Sequence, residues 1–268
     1  MIPVYSISKP FLAEAVLSLG LDLNDEIGSH LDLAPVYGRR TIGALLNHSS
    51  GLDDYGRLAD YHAAVAQRTP AWPVAELLDR CEALPHANVG FQYSNIGYLL
   101  LRLLVQKQTG LSYCDALVEH VFGKVGLVPG SDVAEWESLG AFETPELRDY
   151  DPKWVYSGTF LANPKSLVPG FARLAAHRAE THGHQAGLIS VPYPDTGSDN
   201  PGYNFGFMAD GNPAKLVGHG GGGPGYGLLI WGPPSTDRFH LEFQEVGPGK
   251  PEFDQAGAIQ KIRGQLCL

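Results

Sequence analysis

The spacing of apolar residues follows a helical period through most of the chain and a strand period near its end. Phe11, Leu12, Ala15, Val16 and Leu19 fall on one helical stripe, and Gly20 ends that helix. Pro10 fits its first turn, where a missing N–H costs least. After a polar turn at residues 21–25, Thr41 caps a short helix over 42–47 that stops at Ser49-Ser50-Gly51. Pro73 opens an amphipathic helix over 73–84. A long apolar helix follows Tyr93-Ser94-Asn95 and ends before Gly110, and Ser112 opens another to about Phe122. Asn163 and Pro164 read as the cap and first residue of a further helix, with a kink expected at Pro169-Gly170. Beyond Tyr203 the pattern predicts an antiparallel meander over 204–209, 215–219, 226–231 and 239–245, with turns at Asp210-Gly211-Asn212 and Gly232-Pro233-Pro234. Residues 252–266 close the chain as a helix. Helices in the middle and a sheet at the end make an α+β layout.

A chain of 268 residues suits one domain over 1–268, or two subdomains sharing a core. The expected division is a helical part at 20–150 and a part formed by 1–19 and 151–268, holding the sheet and its flanking helices. The formal charge of −10, with acidic residues dispersed, argues against nucleic acid or an anionic membrane as partner and favours a small soluble substrate. Cys81, Cys114 and Cys267 form no Cys-x-x-Cys pair, which favours a reducing compartment over a disulfide framework. Five residues before Ser6 leave no room for a secretory signal, so a complete chain is expected to be cytoplasmic. No apolar run has the length of a membrane span; the longest, at 98–105, is broken by Arg102.

Three stretches carry candidate chemistry. In Ser6-Ile7-Ser8-Lys9 the serine and lysine are three apart, so one helical turn brings hydroxyl and amine together. A serine needs a base to take its proton, and a lysine serves only when burial keeps it neutral. Alone, the four residues are equally an exposed lysine in a helix's first turn. Tyr93-Ser94-Asn95 offers a phenol to shuttle a proton and an amide to hold a polar group, or else a turn with a packed tyrosine. His219-Gly220-Gly221-Gly222-Gly223 places four consecutive glycines in a predicted strand, where they surrender entropy and packing. Close approach to that backbone explains them, and their N–H groups can supply half of an oxyanion hole with the Ser6 N–H as the other half.

Rival readings of the glycines fail. A phosphate cradle lacks Gly-Lys-Ser/Thr and a following helix, and an α/β-hydrolase oxyanion loop lacks its Gly-x-Ser-x-Gly elbow. His48 reads as a hydrogen-bonded strut beside a helix end. His177, His182 and His184 read as a solvated helix end, because no carboxylate or cysteine stands at a recognised ligand spacing.

In this order, the three stretches resemble the serine β-lactamase and penicillin-binding-protein superfamily, especially class C β-lactamases, D-aminopeptidases and family VIII esterases. Residues 41–52, 91–109, 157–167, 203–207 and 218–226 are similar to further landmarks of that superfamily. The resemblance implies a β-lactamase/transpeptidase-like fold and a serine hydrolase working through an acyl-enzyme, without metal or organic cofactor. It implies Ser6 as nucleophile, Lys9 as its proton acceptor, Tyr93 as relay to the leaving group and Asn95 as a substrate-orienting amide. His219, Gly220 and Gly221 stand where many members have Lys-Thr-Gly, and Gly222 would supply the second oxyanion N–H.

The chain departs from that pattern in two places. Gly220 removes a hydroxyl, and His219 replaces a lysine, which weakens the fixed charge that would hold a substrate carboxylate. Small neutral esters or amides are therefore expected ahead of β-lactams or D-Ala peptides, with a catalytically weak binding or scaffold protein as the alternative of another class. The superfamily also carries a helix and two strands before Ser-x-x-Lys. Here the sheet is expected to be smaller, the chain to be shortened, or a second copy or partner to cover the sheet edge. The walls setting acyl specificity are expected from the loops at 53–69 and 136–154.

Overall fold

In the computed structural model, residues 1–85, 90–136, 146–183, 186–191 and 200–266 are described. The fold is α+β, with helices packed against two antiparallel sheets. Strand β1 (Ile2–Pro3) pairs antiparallel with β3 (Phe160–Ala162), which also pairs with β2 (Val133–Glu135). This small sheet delivers the chain to a 3-10 turn, Tyr5–Ser8, whose last residue precedes α1 (Lys9–Ser18).

Burial differs from the single stripe the sequence predicts. Lys9 through Val16 are all buried, because α1 passes through the middle of the molecule and packs on α6 (Asn95–Thr109) as well as on the C-terminal half. A helix apolar enough all round to lie in the core needs no polar face. One buried carboxylate on it, Glu14, is held by Arg178 at 2.9 Å and His177 at 3.1 Å, both from α8 (Pro164–Thr181). His177 is therefore a hydrogen-bond partner of a buried carboxylate rather than part of a solvated helix end. His184 lies outside the described residues, and no cluster suited to a metal ion occurs among those described.

The predicted caps are present. Thr41 Oγ1 accepts from the Ala44 N–H of α3 (Ile42–Leu46), and Ser94 Oγ accepts from the Gly97 N–H of α6. Gly110 ends α6 with φ +72°. Asn163 caps α8, whose helical run continues through Pro169.

The large sheet has the order β4 (Ile189–Ser190), β5 (Pro201–Tyr203), β6 (Met208–Asp210), β7 (Leu216–Gly223), β8 (Tyr226–Gly232) and β9 (His240–Glu245). Residues 204–207, expected in a strand, instead form a tight turn in which the Gly206 N–H donates to the Asn204 carbonyl at 2.7 Å. Gly206, at φ +92°, lies against α1: a Cβ there would come within 2.8 Å of the Ala13 Cβ. Strand β7 runs on through the glycines, four residues past its expected end. The closing helix, α9 (Gln255–Leu266), packs Ile259 and Ile262 with Leu229 and Trp231 of β8. Among the described residues β9 and β4 are the outer strands, and Phe243 on β9 is exposed. No helix among them is long and apolar enough to cross a membrane.

Candidate active site

Ser6 enters the site on the turn before α1, and that turn is fixed from both ends. The Val4 N–H donates to the Phe160 carbonyl at 3.1 Å, and Ser8 Oγ donates to the Gly158 carbonyl at 2.8 Å. Lys9, 1 % exposed, lies one turn inward, with its Nζ 2.8 Å from Ser6 Oγ and 2.7 Å from Asn95 Oδ1. The rings of Tyr93 and Tyr98 lie 5.1 and 5.2 Å from the same nitrogen. Burial lowers the Lys9 pKa to about 7, opposed by the Asp54 carboxylate. Near neutrality, much of this lysine is a free amine. Donating to Asn95 leaves its lone pair for the Ser6 O–H.

Asn95 is the first residue of α6. Its N–H donates to Asp54 Oδ2 at 2.6 Å, and its side-chain oxygen accepts from Lys9, so the amide expected to orient substrate first orients the amine. Tyr93 stands two residues earlier with its ring 4.3 Å from that of His48. His48 Nδ1 accepts from the Ser94 N–H at 3.1 Å, so His48 is a strut bracing the Tyr93 turn. Burial, with Lys9 nearby, keeps it neutral.

The glycines of β7 answer the close approach the sequence called for. A Cβ on Gly221 would lie 2.6 Å from the Val4 carbonyl oxygen, and one on Gly223 would strike the Tyr5 ring. Gly222 faces the other way, with open space where its Cβ would be. Strand β6 pairs with β7 only as far as Gly218, so on that side no described strand lies beside residues 219–223. His219 is buried, its Nδ1 donating to the Gly220 carbonyl at 2.5 Å and its Nε2 accepting from the Tyr203 hydroxyl at 3.0 Å. Burial first, then Lys9, lower its pKa to about 3. The residue at the resemblance's lysine position is thus an uncharged imidazole at ordinary pH.

Ser6, Gly222 and Gly223 border two cavities. The larger, about 600 Å³, also has Tyr93, His219, Tyr203, Trp231 and Phe253 in its walls. The smaller, about 160 Å³, has Asp54, Tyr55, Tyr61, Asn95, Tyr150 and Trp154. Sequence reasoning placed the loops at 53–69 and 136–154 as walls but did not single out Asp54. Its only sequence signal is a carboxylate at the start of the first loop; residues 137–145 of the second lie outside those described.

A serine and a buried lysine on one turn, flanked by an aromatic hydroxyl and a glycine strand, define the serine β-lactamase and penicillin-binding-protein-like class. The family model described as Beta-lactamase matches residues 1–240, and the chain belongs to that family. Penicillin-binding protein 4* of Bacillus subtilis (strain 168) is 32 % identical over 133 residues, covering 46 % of this chain and 28 % of that protein. The chain thus matches well under half the length of that curated relative. A D-stereospecific amidohydrolase from Streptomyces sp. superposes with a TM-score of 0.78 at 22 % identity, over 99 % of this chain and 86 % of that one. The octameric penicillin-binding protein homologue from Pyrococcus abyssi gives 0.73 at 21 % identity, over 99 % and 65 %.

Proposed function

We propose that the chain is a serine hydrolase that cleaves small esters or amides through an acyl-enzyme on Ser6. The observation that carries this is the buried Lys9 amine, with a pKa near 7, 2.8 Å from the Ser6 hydroxyl. Ser6 Oγ attacks the substrate carbonyl as its proton passes to Lys9 Nζ. The Ser6 and Gly222 N–H groups stabilise the oxyanion. Tyr93 passes a proton to the departing group, and water then releases the acyl chain from Ser6 by the reverse proton transfers. No step requires a metal or an organic cofactor.

The neutral His219 favours uncharged leaving groups. A β-lactam or C-terminal D-peptide would bring a carboxylate beside an imidazole that carries no charge. Along β9, with Phe243 exposed, the same reading allows a second copy or a further strand to pair, which light scattering would register as a larger mass.

Hydrolysis of 4-nitrophenyl butyrate by the wild type and by Ser6→Ala tests the assignment. The expected loss is on the order of 10^4-fold or more. Equal rates would overturn it.

A further inference from the structure

We propose that Tyr5 is a positioning residue that sets the separation of the two oxyanion donors. The inference rests on the hydrolase reading, in which those donors are the N–H groups of Ser6 and Gly222. They stand on different elements, Ser6 on the turn Tyr5–Ser8 and Gly222 near the end of β7. The Gly222 end is held by strand pairing on one side only. Strand β6 pairs with β7 as far as Gly218, so from His219 to Gly223 the described pairing runs through β8 alone. Four of those five residues are glycines, with no side chains to pack. A donor displaced by about 1 Å from the oxyanion loses much of its effect.

Tyr5 joins the two elements. Its backbone orients one donor, because the Ser6 N–H belongs to the planar peptide unit that Tyr5 and Ser6 share. Its side chain fixes the other: the hydroxyl donates to the carbonyl of Pro224, two residues beyond Gly222 at the tip of the β7–β8 hairpin. The ring lies where a side chain at 223 would be, since a Cβ on Gly223 would strike it, and Trp136 packs on it edge-on with centroids 5.6 Å apart. Tyr5 is 3 % exposed, and burial raises its pKa, so the hydroxyl remains a donor at working pH. Its φ of +46° is a left-handed conformation, which a bulky aromatic residue adopts only where its surroundings hold it. Packing alone asks for an apolar ring. The phenol is what ties the hairpin tip to the Ser6 turn.

Tyr5→Phe keeps the ring against Gly223 and Trp136 and removes only the bond to Pro224. With 4-nitrophenyl butyrate its kcat is expected to fall about 10- to 10^2-fold, while KM and the pH midpoint near 7 stay those of the wild type. Butylboronic acid reads the hole directly: Ser6 Oγ adds to boron as its proton passes to Lys9, and a boronate oxygen takes the oxyanion's place. Its dissociation constant is expected to rise by about the same factor as kcat falls. Unchanged kcat and boronate affinity in folded Tyr5→Phe, a lower thermal midpoint as the sole effect, or a fall in kcat that the boronate does not follow overturns the proposal, and wild-type turnover then leaves the hydrolase reading standing. Boronate affinity that depends on Ser6 and weakens in Tyr5→Phe supports Tyr5 even where the wild type turns over no ester, a result that counts against the hydrolase reading alone. A wild type that neither turns over ester nor binds boronate overturns both. Should Tyr5→Phe not fold, Gly223→Ala carries the same test with the same outcomes, because its added methyl presses on the Tyr5 ring and leaves the Gly222 N–H in place.

Discussion

Lys9 Nζ stands 2.8 Å from Ser6 Oγ at a position solvent barely reaches, and it is held from the far side by Asn95 Oδ1 at 2.7 Å. Burial makes the amine available as a base, and Asn95 points its lone pair. The pH dependence of the reaction follows from this pair. With a Lys9 pKa of about 7, kcat/KM for a neutral ester is expected to rise with pH through about 7 and then level off, since only the unprotonated amine accepts the Ser6 proton. The Asp54 carboxylate favours the charged lysine, so Asp54→Asn is expected to move that midpoint to lower pH. A pH–rate profile on 4-nitrophenyl butyrate measures both.

Burying a lysine for catalysis destabilises the fold. Between about pH 7 and the ordinary lysine value of 10.5, the unfolded chain holds a proton at Lys9 that the folded chain does not. This group's contribution to stability therefore rises with pH across that window and is lost as pH falls through it. Lys9→Met keeps the volume and removes the titration. It is expected to abolish hydrolysis while raising stability at pH 7 by about 1–2 kcal/mol, measured by urea unfolding.

Much of the fold could be read from the sequence because its signals are local. Thr41, Ser94 and Asn163 each bond a backbone N–H within three residues, so the caps of α3, α6 and α8 stand in the sequence itself. The burial of α1 on every face from Lys9 to Val16 did not, because its second apolar face is covered by elements far along the chain. Residues 204–207 turn rather than extend because Gly206 must pass over α1, another long-range constraint. Within the candidate site, Ser6, Lys9, Tyr93 and the β7 glycines announced themselves by residue type and spacing. Asp54 did not. Its place beside Ser6 comes from a bond to the Asn95 N–H across 41 residues, which no spacing rule reports.

The glycine strand gives a paired test. Alanine at 221 would push against the Val4 carbonyl on the turn that carries Ser6, and a displacement near 1 Å is expected to lower kcat about 10^2-fold. Alanine at 222 meets nothing within 4 Å and keeps its N–H, so Gly222→Ala should fold normally and change KM more than kcat on small esters. Steady-state kinetics on the two variants separates them.

Tyr93→Phe keeps the ring against His48 and removes only the hydroxyl. The expected result is a loss of about 10^2–10^3-fold in kcat with little change in thermal midpoint. A variant that loses stability instead would make Tyr93 a packing residue.

The most direct test of the central claim is the intact mass of the protein after incubation with a fluorophosphonate probe, for wild type and Ser6→Ala. A single adduct on the wild type, absent from Ser6→Ala, is the expected result and would place an activated nucleophile at Ser6. A folded wild type that takes up no probe, or a Ser6→Ala protein that is labelled equally, would contradict it.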